Sequence, residues 1–252
     1  MSNIKSAFAG GKALIPFITC GDPCYEATER FVRAAAENGA DLIELGIPFS
    51  DPTAEGPVVQ GANIRALAGG ATTDGIFDMV RHIREDVTIP MVFMTYANVI
   101  FSYGAERFIS LCAETGIDGL IVPDLPFEEK DEFQPICREY GIELISVIAM
   151  TSADRIGMIS REAEGFIYIV SGTGDIKSIR NELREIAGEI RKYTDIPCVI
   201  GVGASEPEQM SAAAEIADGA ADEISVIELA ERYGADADVG AHMRTLMTAL
   251  GG

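Results

Sequence analysis

Glu44 stands inside an otherwise apolar run, Asp41-Leu42-Ile43-Glu44-Leu45-Gly46. An ionised carboxylate is expensive there, so either a neighbouring Lys or buried backbone group pairs it or it serves chemistry. If the run is a strand, Leu42, Glu44 and Gly46 share one face. A carboxylate on that face, near a strand end, can have a raised pKa and shuttle protons near neutrality. The next segment, Pro48-Phe49-Ser50-Asp51-Pro52-Thr53-Ala54-Glu55-Gly56-Pro57, is stiffened by three prolines and a glycine. It brings two more carboxylates, Asp51 and Glu55, just beyond Glu44. Two or three acids converging on a cleft suit general acid–base work without a metal. Other catalytic arrangements are poorly represented. His82 and His242, the two histidines, lie in charged, helix-like stretches and are expected at the surface. No Gly-x-Ser-x-Gly elbow occurs. Cys20 and Cys24 lack the second Cys or His pair that a zinc site needs, and most of the five cysteines read as small core residues.

The elements that must position these acids are short apolar runs separated by longer amphipathic stretches. The runs are Ala13–Cys20, Asp41–Gly46, Met91–Tyr96, Gly119–Asp124, Glu143–Ala149, Phe166–Ser171, Cys198–Gly203 and, less regular, Gly219–Ile224. Most are continuous rather than alternating, as parallel strands covered on both faces require. Glycines close the helical stretches just before strands, as in Asn38-Gly39, Thr115-Gly116 and Tyr140-Gly141. Eight strands alternating with helices over 252 residues predict a single-domain (β/α)8 barrel spanning residues 1–252. A doubly wound open sheet is the competing arrangement, but no Gly-x-Gly-x-x-Gly follows the first strand. In such barrels the working residues sit at C-terminal strand ends and in the loops beyond them, which makes Glu44 the first candidate.

Composition narrows the partners. Forty acidic residues against 19 basic ones give a net charge of -21, which argues against nucleic acid and against an anionic membrane surface. With 48% hydrophobic residues the chain can bury a sizeable core. No apolar run approaches 18 residues and the first residues carry no signal-peptide pattern, so a cytoplasmic location is expected.

Glu44-Leu45-Gly46-Ile47-Pro48-Phe49-Ser50-Asp51-Pro52, followed by Glu55-Gly56-Pro57, resembles the signature segment of the tryptophan synthase alpha chain family. Ile15-Pro16-Phe17-Ile18-Thr19-Cys20-Gly21-Asp22-Pro23, Met94-Thr95-Tyr96-Ala97-Asn98, Pro123-Asp124-Leu125-Pro126 and Gly201-Val202-Gly203 resemble it in the same order. The resemblance implies a cofactor-independent lyase that splits indole-3-glycerol phosphate into indole and glyceraldehyde 3-phosphate. It implies Glu44 as the main acid/base and Glu55, where the family usually has Asp, as the acid that polarises the indole N–H. Phe17, Tyr96 and Tyr168 would line the indole pocket or its neighbourhood. Asp51, Asn98 and Asp124 would lie near the contact with a beta chain, in an α2β2 assembly through which indole is passed on.

The phosphate end departs from the pattern. Gly201 and Gly203 are in place, but Lys177 stands about where the family has a further phosphate-binding Gly, as a point donor rather than a backbone cradle. Glu223 stands where a phosphate-binding Gly is expected, and Ile224 where a hydroxyl is expected. A carboxylate within ~4–6 Å of a phosphate costs about 1 kcal/mol or more. The alternative to an active lyase is therefore a diverged barrel with impaired phosphate binding, acting as a partner of a beta chain or on another substrate. The long, Gly- or Pro-rich loops after the second and sixth strands are expected to move and close over substrate.

Overall fold

The computed structural model describes residues 3–172, 175–203 and 206–251. Eight parallel strands close into one barrel in sequence order: β1 (Ala13–Thr19), β2 (Ile43–Gly46), β3 (Met91–Met94), β4 (Gly119–Ile121), β5 (Glu143–Ala149), β6 (Glu164–Val170), β7 (Cys198–Val202) and β8 (Gly219–Asp222). Closure comes from β8 pairing with β1, Gly219 opposite Ala13 and Asp222 opposite Pro16. Helices α1 (Tyr25–Glu37), α2 (Pro57–Ala68) and α3 (Thr73–Ile83) follow β1 and β2. After β3 come α4 (Ala97–Tyr103) and α5 (Ala105–Thr115), and after β4 comes α6 (Gln134–Tyr140). The series ends with α7 (Ile156–Arg161), α8 (Arg180–Ile190), α9 (Pro207–Ala214), α10 (Ser225–Tyr233) and α11 (Val239–Leu250). No helix among the described residues is long and apolar enough to cross a membrane.

The strands read as continuous apolar runs because both faces are covered. Ala13, Ile15, Leu42, Val92, Ile121, Ile145, Phe166, Tyr168, Val199 and Ala221 fill the barrel interior. Their neighbours Leu14, Ile43, Leu45, Phe93, Leu120, Ile167 and Ile200 pack outward into the helix layer. The 3-10 turn Ile4–Phe8 inserts Ile4 and Ala7 into the interior cluster. Helix α1 shows the matching helical period, burying Ala27, Thr28, Phe31, Val32 and Ala35. Two of the glycines expected to stop helices, Gly116 and Gly141, take left-handed backbone at φ 82° and 73°, where a Cβ would be strained.

Three aspartates tie adjacent strands together at the N-terminal end of the barrel. Asp41 accepts from the Leu14 N–H, Asp118 from that of Met91, and Asp218 from that of Cys198. Arg84 backs Asp118 and Arg191 backs Asp218. These carboxylates serve stability, at the face where barrels of this kind do no chemistry. The eighth strand is shorter than its predicted run and stops at Asp222. Its four residues are small or paired, which is how a strand with so little apolar surface fits between β7 and β1.

Candidate active site

A cavity of about 170 Å³ opens at the C-terminal ends of the strands, lined by Phe17, Glu44, Glu55, Met94, Tyr168 and Glu223 among others. Alternation along β2 turns Glu44 inward with Leu42, while Ile43 and Leu45 pack outward. Glu44 is fully buried, and neither carboxylate oxygen has a hydrogen-bond partner. Burial, and then the charge of Glu223, hold its pKa well above the usual carboxylate range. The group is a neutral acid aimed into an apolar chamber, able to give a proton to a bound molecule and take one back. Phe17, directly opposite Glu44 in the β1–β2 register, forms the adjoining wall. Its ring covers Gly46 so closely that a Cβ there would overlap it.

Glu55 reaches the same cavity from the loop after β2. The Tyr96 hydroxyl, at the end of β3, donates to Glu55 Oε2 and accepts from the N–H groups of Thr53 (3.1 Å) and Ala54 (3.0 Å). The Phe49 ring packs on Tyr96 with centroids 5.2 Å apart. One phenol thus anchors the loop and aims its carboxylate. Burial raises the Glu55 pKa, the Tyr96 bond opposes that, and Asp124 adds to the rise.

On the far wall, the Tyr168 hydroxyl donates to Glu223 Oε1 at 2.8 Å. Desolvation pushes the Glu223 pKa up to about 7 against the lowering effect of that bond, with Asp222 and Glu55 pushing it further. Burial and the same carboxylate keep the Tyr168 phenol strongly protonated. Gly201 on β7 leaves the space the pair occupies: a Cβ there would overlap Glu223 and sit 2.8 Å from the Tyr168 oxygen. Gly172, Gly203, Glu223 and Ile224, from the loops after β6, β7 and β8, ring this end of the cavity.

A profile of the tryptophan synthase alpha chain matches residues 4–243. The chain belongs to the tryptophan synthase alpha chain family. It is 44% identical over 233 residues to a tryptophan synthase alpha chain of Lacticaseibacillus casei, spanning 91% of this chain and 87% of that one. It is 48% identical over 223 residues to one of Alkaliphilus metalliredigens, spanning 87% and 84%. The crystal structure of tryptophan synthase subunit alpha from Legionella pneumophila superposes with a TM-score of 0.90 at 34% identity, covering 100% of this chain and 99% of that one. These likenesses favour a catalytic alpha chain over the alternative of a non-catalytic partner or a different substrate.

The residues singled out from sequence do not all converge. Phe17, Glu44, Glu55, Tyr168 and Gly203 line the cavity, with Tyr96 and Gly201 immediately behind it. Lys177 does not join them: it is exposed and lines a separate surface depression with Arg180, Glu208, Ser211 and Glu215. Residues 173 and 174, in the loop expected to close after β6, lie outside the described residues. Asp51, Asn98 and Asp124 are all exposed. Asn98 shares a surface groove with Pro48, Phe49 and Tyr103, and Asp124 accepts from the Ala97 N–H at the start of α4.

One polar cluster escaped the sequence reading. Asp222 turns out of the barrel and accepts both the N–H (3.1 Å) and the hydroxyl of Ser225, at the start of α10. His242 Nε2 on α11 lies 2.6 Å from the same hydroxyl. His242, expected at the surface, is instead only 18% exposed, because α11 packs it over this cap; His82 is 64% exposed as expected. The Asp-x-x-Ser spacing is the signal that could have revealed it, being that of a side chain closing a helix N-terminus.

Proposed function

We propose that this chain, acting as one barrel domain, cleaves indole-3-glycerol phosphate into indole and glyceraldehyde 3-phosphate, with Glu44 as the acid/base. What carries the assignment is the Glu44 carboxyl group, wholly buried, without a partner, and directed into an apolar cavity large enough to admit a flat ring. A buried carboxyl with a raised pKa enters the reaction protonated. It delivers its proton to indole C3, which makes the ring an electron sink. The resulting carboxylate takes the proton of the side-chain hydroxyl as the bond between ring and side chain breaks. The electron pair of that bond returns the ring to indole, the alkoxide carbon becomes the aldehyde, and Glu44 ends the cycle protonated.

Glu55 accepts from the indole N–H and steadies the positive charge that grows there, held in place by Tyr96. Phe17 and Tyr168 flank the ring, and Gly203 offers backbone near the glycerol phosphate tail. The rim bearing Asp51, Asn98 and Asp124 is the surface on which a beta chain would dock to receive indole, in an α2β2 assembly. Steady-state cleavage of indole-3-glycerol phosphate, with and without a beta chain, tests the reading. Wild-type turnover should be lost in Glu44→Gln, which keeps the shape of the group and removes its ability to cycle a proton. Undiminished turnover in that variant, or none in the wild type under either condition, would refute it.

A further inference from the structure

The loop after β8 is where a barrel of this kind grips a phosphate, using free N–H groups at a helix N-terminus. Here both donors of Ser225, its N–H and its hydroxyl, are spent on Asp222. Glu223, the next residue past the strand, turns the other way and lines the cavity beside Gly172 and Gly203. The described residues lining the cavity include Glu44, Glu55 and Glu223 but no Lys, Arg or His. The end that must receive a dianion therefore presents a carboxyl group, with no cation among the described residues that line it.

We propose that Glu223 makes phosphate recognition conditional on its own proton: when neutral it donates a hydrogen bond to a phosphate oxygen, and when ionised it repels the dianion. This rests on the function proposed above and names the specificity residue of that site. The geometry leaves one carboxyl oxygen for the task, because Oε1 already accepts from Tyr168. A tyrosine donating to one oxygen orients the acid and leaves the other to carry the proton, while the same bond favours the ionised form, against the stronger effect of burial.

The carboxylates around Glu223 raise its pKa, and the bond from Tyr168 alone opposes them. Tyr168 on β6 is neutral. Glu44 on β2, Glu55 from the loop after β2, and the adjacent Asp222 all disfavour a further negative charge. His242 on α11 faces Asp222 at 3.7 Å, outside the barrel. Burial foremost, and then the charges of Asp222 and Glu55, push the Glu223 pKa up to about 7. Sidedness matters: the folded, ligand-free site is ready below that pH and closes to phosphate as pH rises through it.

The test measures KM for indole-3-glycerol phosphate and, by calorimetry, Kd for glycerol 3-phosphate between pH 6.5 and 8.5, in wild type, Glu223→Gln and Glu223→Gly. The phosphate itself is largely dianionic over this range, its second pKa being about 6. If one proton on Glu223 is required, both constants should rise about tenfold per pH unit above 7 in the wild type. Both should stay within about twofold in either variant, which removes the ionisable group. Parallel profiles in wild type and variants, or no binding of glycerol 3-phosphate at pH 6.5, would overturn the proposal. Turnover with parallel profiles would leave the lyase assignment standing. A Glu223-dependent Kd without turnover at any pH would leave this proposal standing and remove the assignment.

Discussion

Tyr96→Phe isolates how much of catalysis depends on the aim of Glu55. The substitution deletes one oxygen that makes three hydrogen bonds, one donated to Glu55 and two accepted from Thr53 and Ala54. Thr53 and Ala54 are exposed, so their N–H groups can turn to water and their loss costs little. The bond to the carboxylate is different, because hydrogen bonds to charged groups contribute about 1.5–3 kcal/mol. If Glu55 is held for the transition state by that bond alone, kcat/KM falls by about 10- to 150-fold. The same bond is present in the ligand-free fold, so stability should fall by about 1.5–3 kcal/mol, roughly 3–12 °C in melting temperature for a chain of this size. A second signature follows from ionisation. The Tyr96 bond lowers a Glu55 pKa that burial raises, so its loss moves that pKa up. The acidic limb of the kcat/KM profile should then shift to higher pH, since a protonated Glu55 cannot accept from the indole N–H. Steady-state kinetics across pH, with thermal unfolding as control, reads both effects. A variant within twofold of wild type at every pH would show that Glu55 needs no anchoring, and the role given to Tyr96 would be wrong.

Glu44→Gln should stabilise the fold while abolishing turnover. A carboxyl whose folded pKa is raised binds its proton more tightly folded than unfolded, so wild-type stability declines as pH rises from its unfolded pKa, about 4.3, toward the folded value. The glutamine has no such decline, and denaturant midpoints at pH 5 and pH 8 should separate the two proteins more at the higher pH. An unchanged or smaller gap at pH 8 would contradict the buried, neutral acid. Asp222→Ala removes the cap of α10 and strands the Ser225 and His242 groups, at a cost of roughly 2–4 kcal/mol. Thermal melting should fall by about 5–12 °C, and a loss below 2 °C would mean that water replaces the cap. Gly46→Ala forces a methyl group into the Phe17 ring, so it should cost about 1–3 kcal/mol in urea unfolding. It should also weaken substrate binding, because Phe17 must swing into the cavity; unaltered stability and KM together would place that ring elsewhere.

What could be foreseen from the sequence was whatever depends on neighbours along the chain. Alternation alone turns Glu44 to the inside and sets its strand among covered, parallel ones, and the barrel follows from eight such runs. The left-handed glycines after α5 and α6 were visible because Gly after a helical stretch and before an apolar run has a local cause. What stayed hidden spans the closed sheet or the helix layer. Tyr96 meets Glu55 across 41 residues, Tyr168 meets Glu223 across 55, and His242 meets Ser225 across 17. A slip between Ile145 and Ser146 in β5 is likewise invisible to a pattern of period two.

The eighth strand shows how a local misreading hid the chemistry. Reading Gly219–Ile224 as strand throughout puts two uncompensated charges in a buried sheet. In the structure the strand stops at Asp222, and the two acids part company. Asp222 turns outward to close a helix, and Glu223 turns inward beside Tyr168. Gly201 then has a physical cause beyond any part in binding phosphate. Its missing Cβ leaves the space that Glu223 and Tyr168 fill. A glycine at 201 and an acid at 223 are one arrangement, and changing either reshapes the wall against which the substrate's tail must lie.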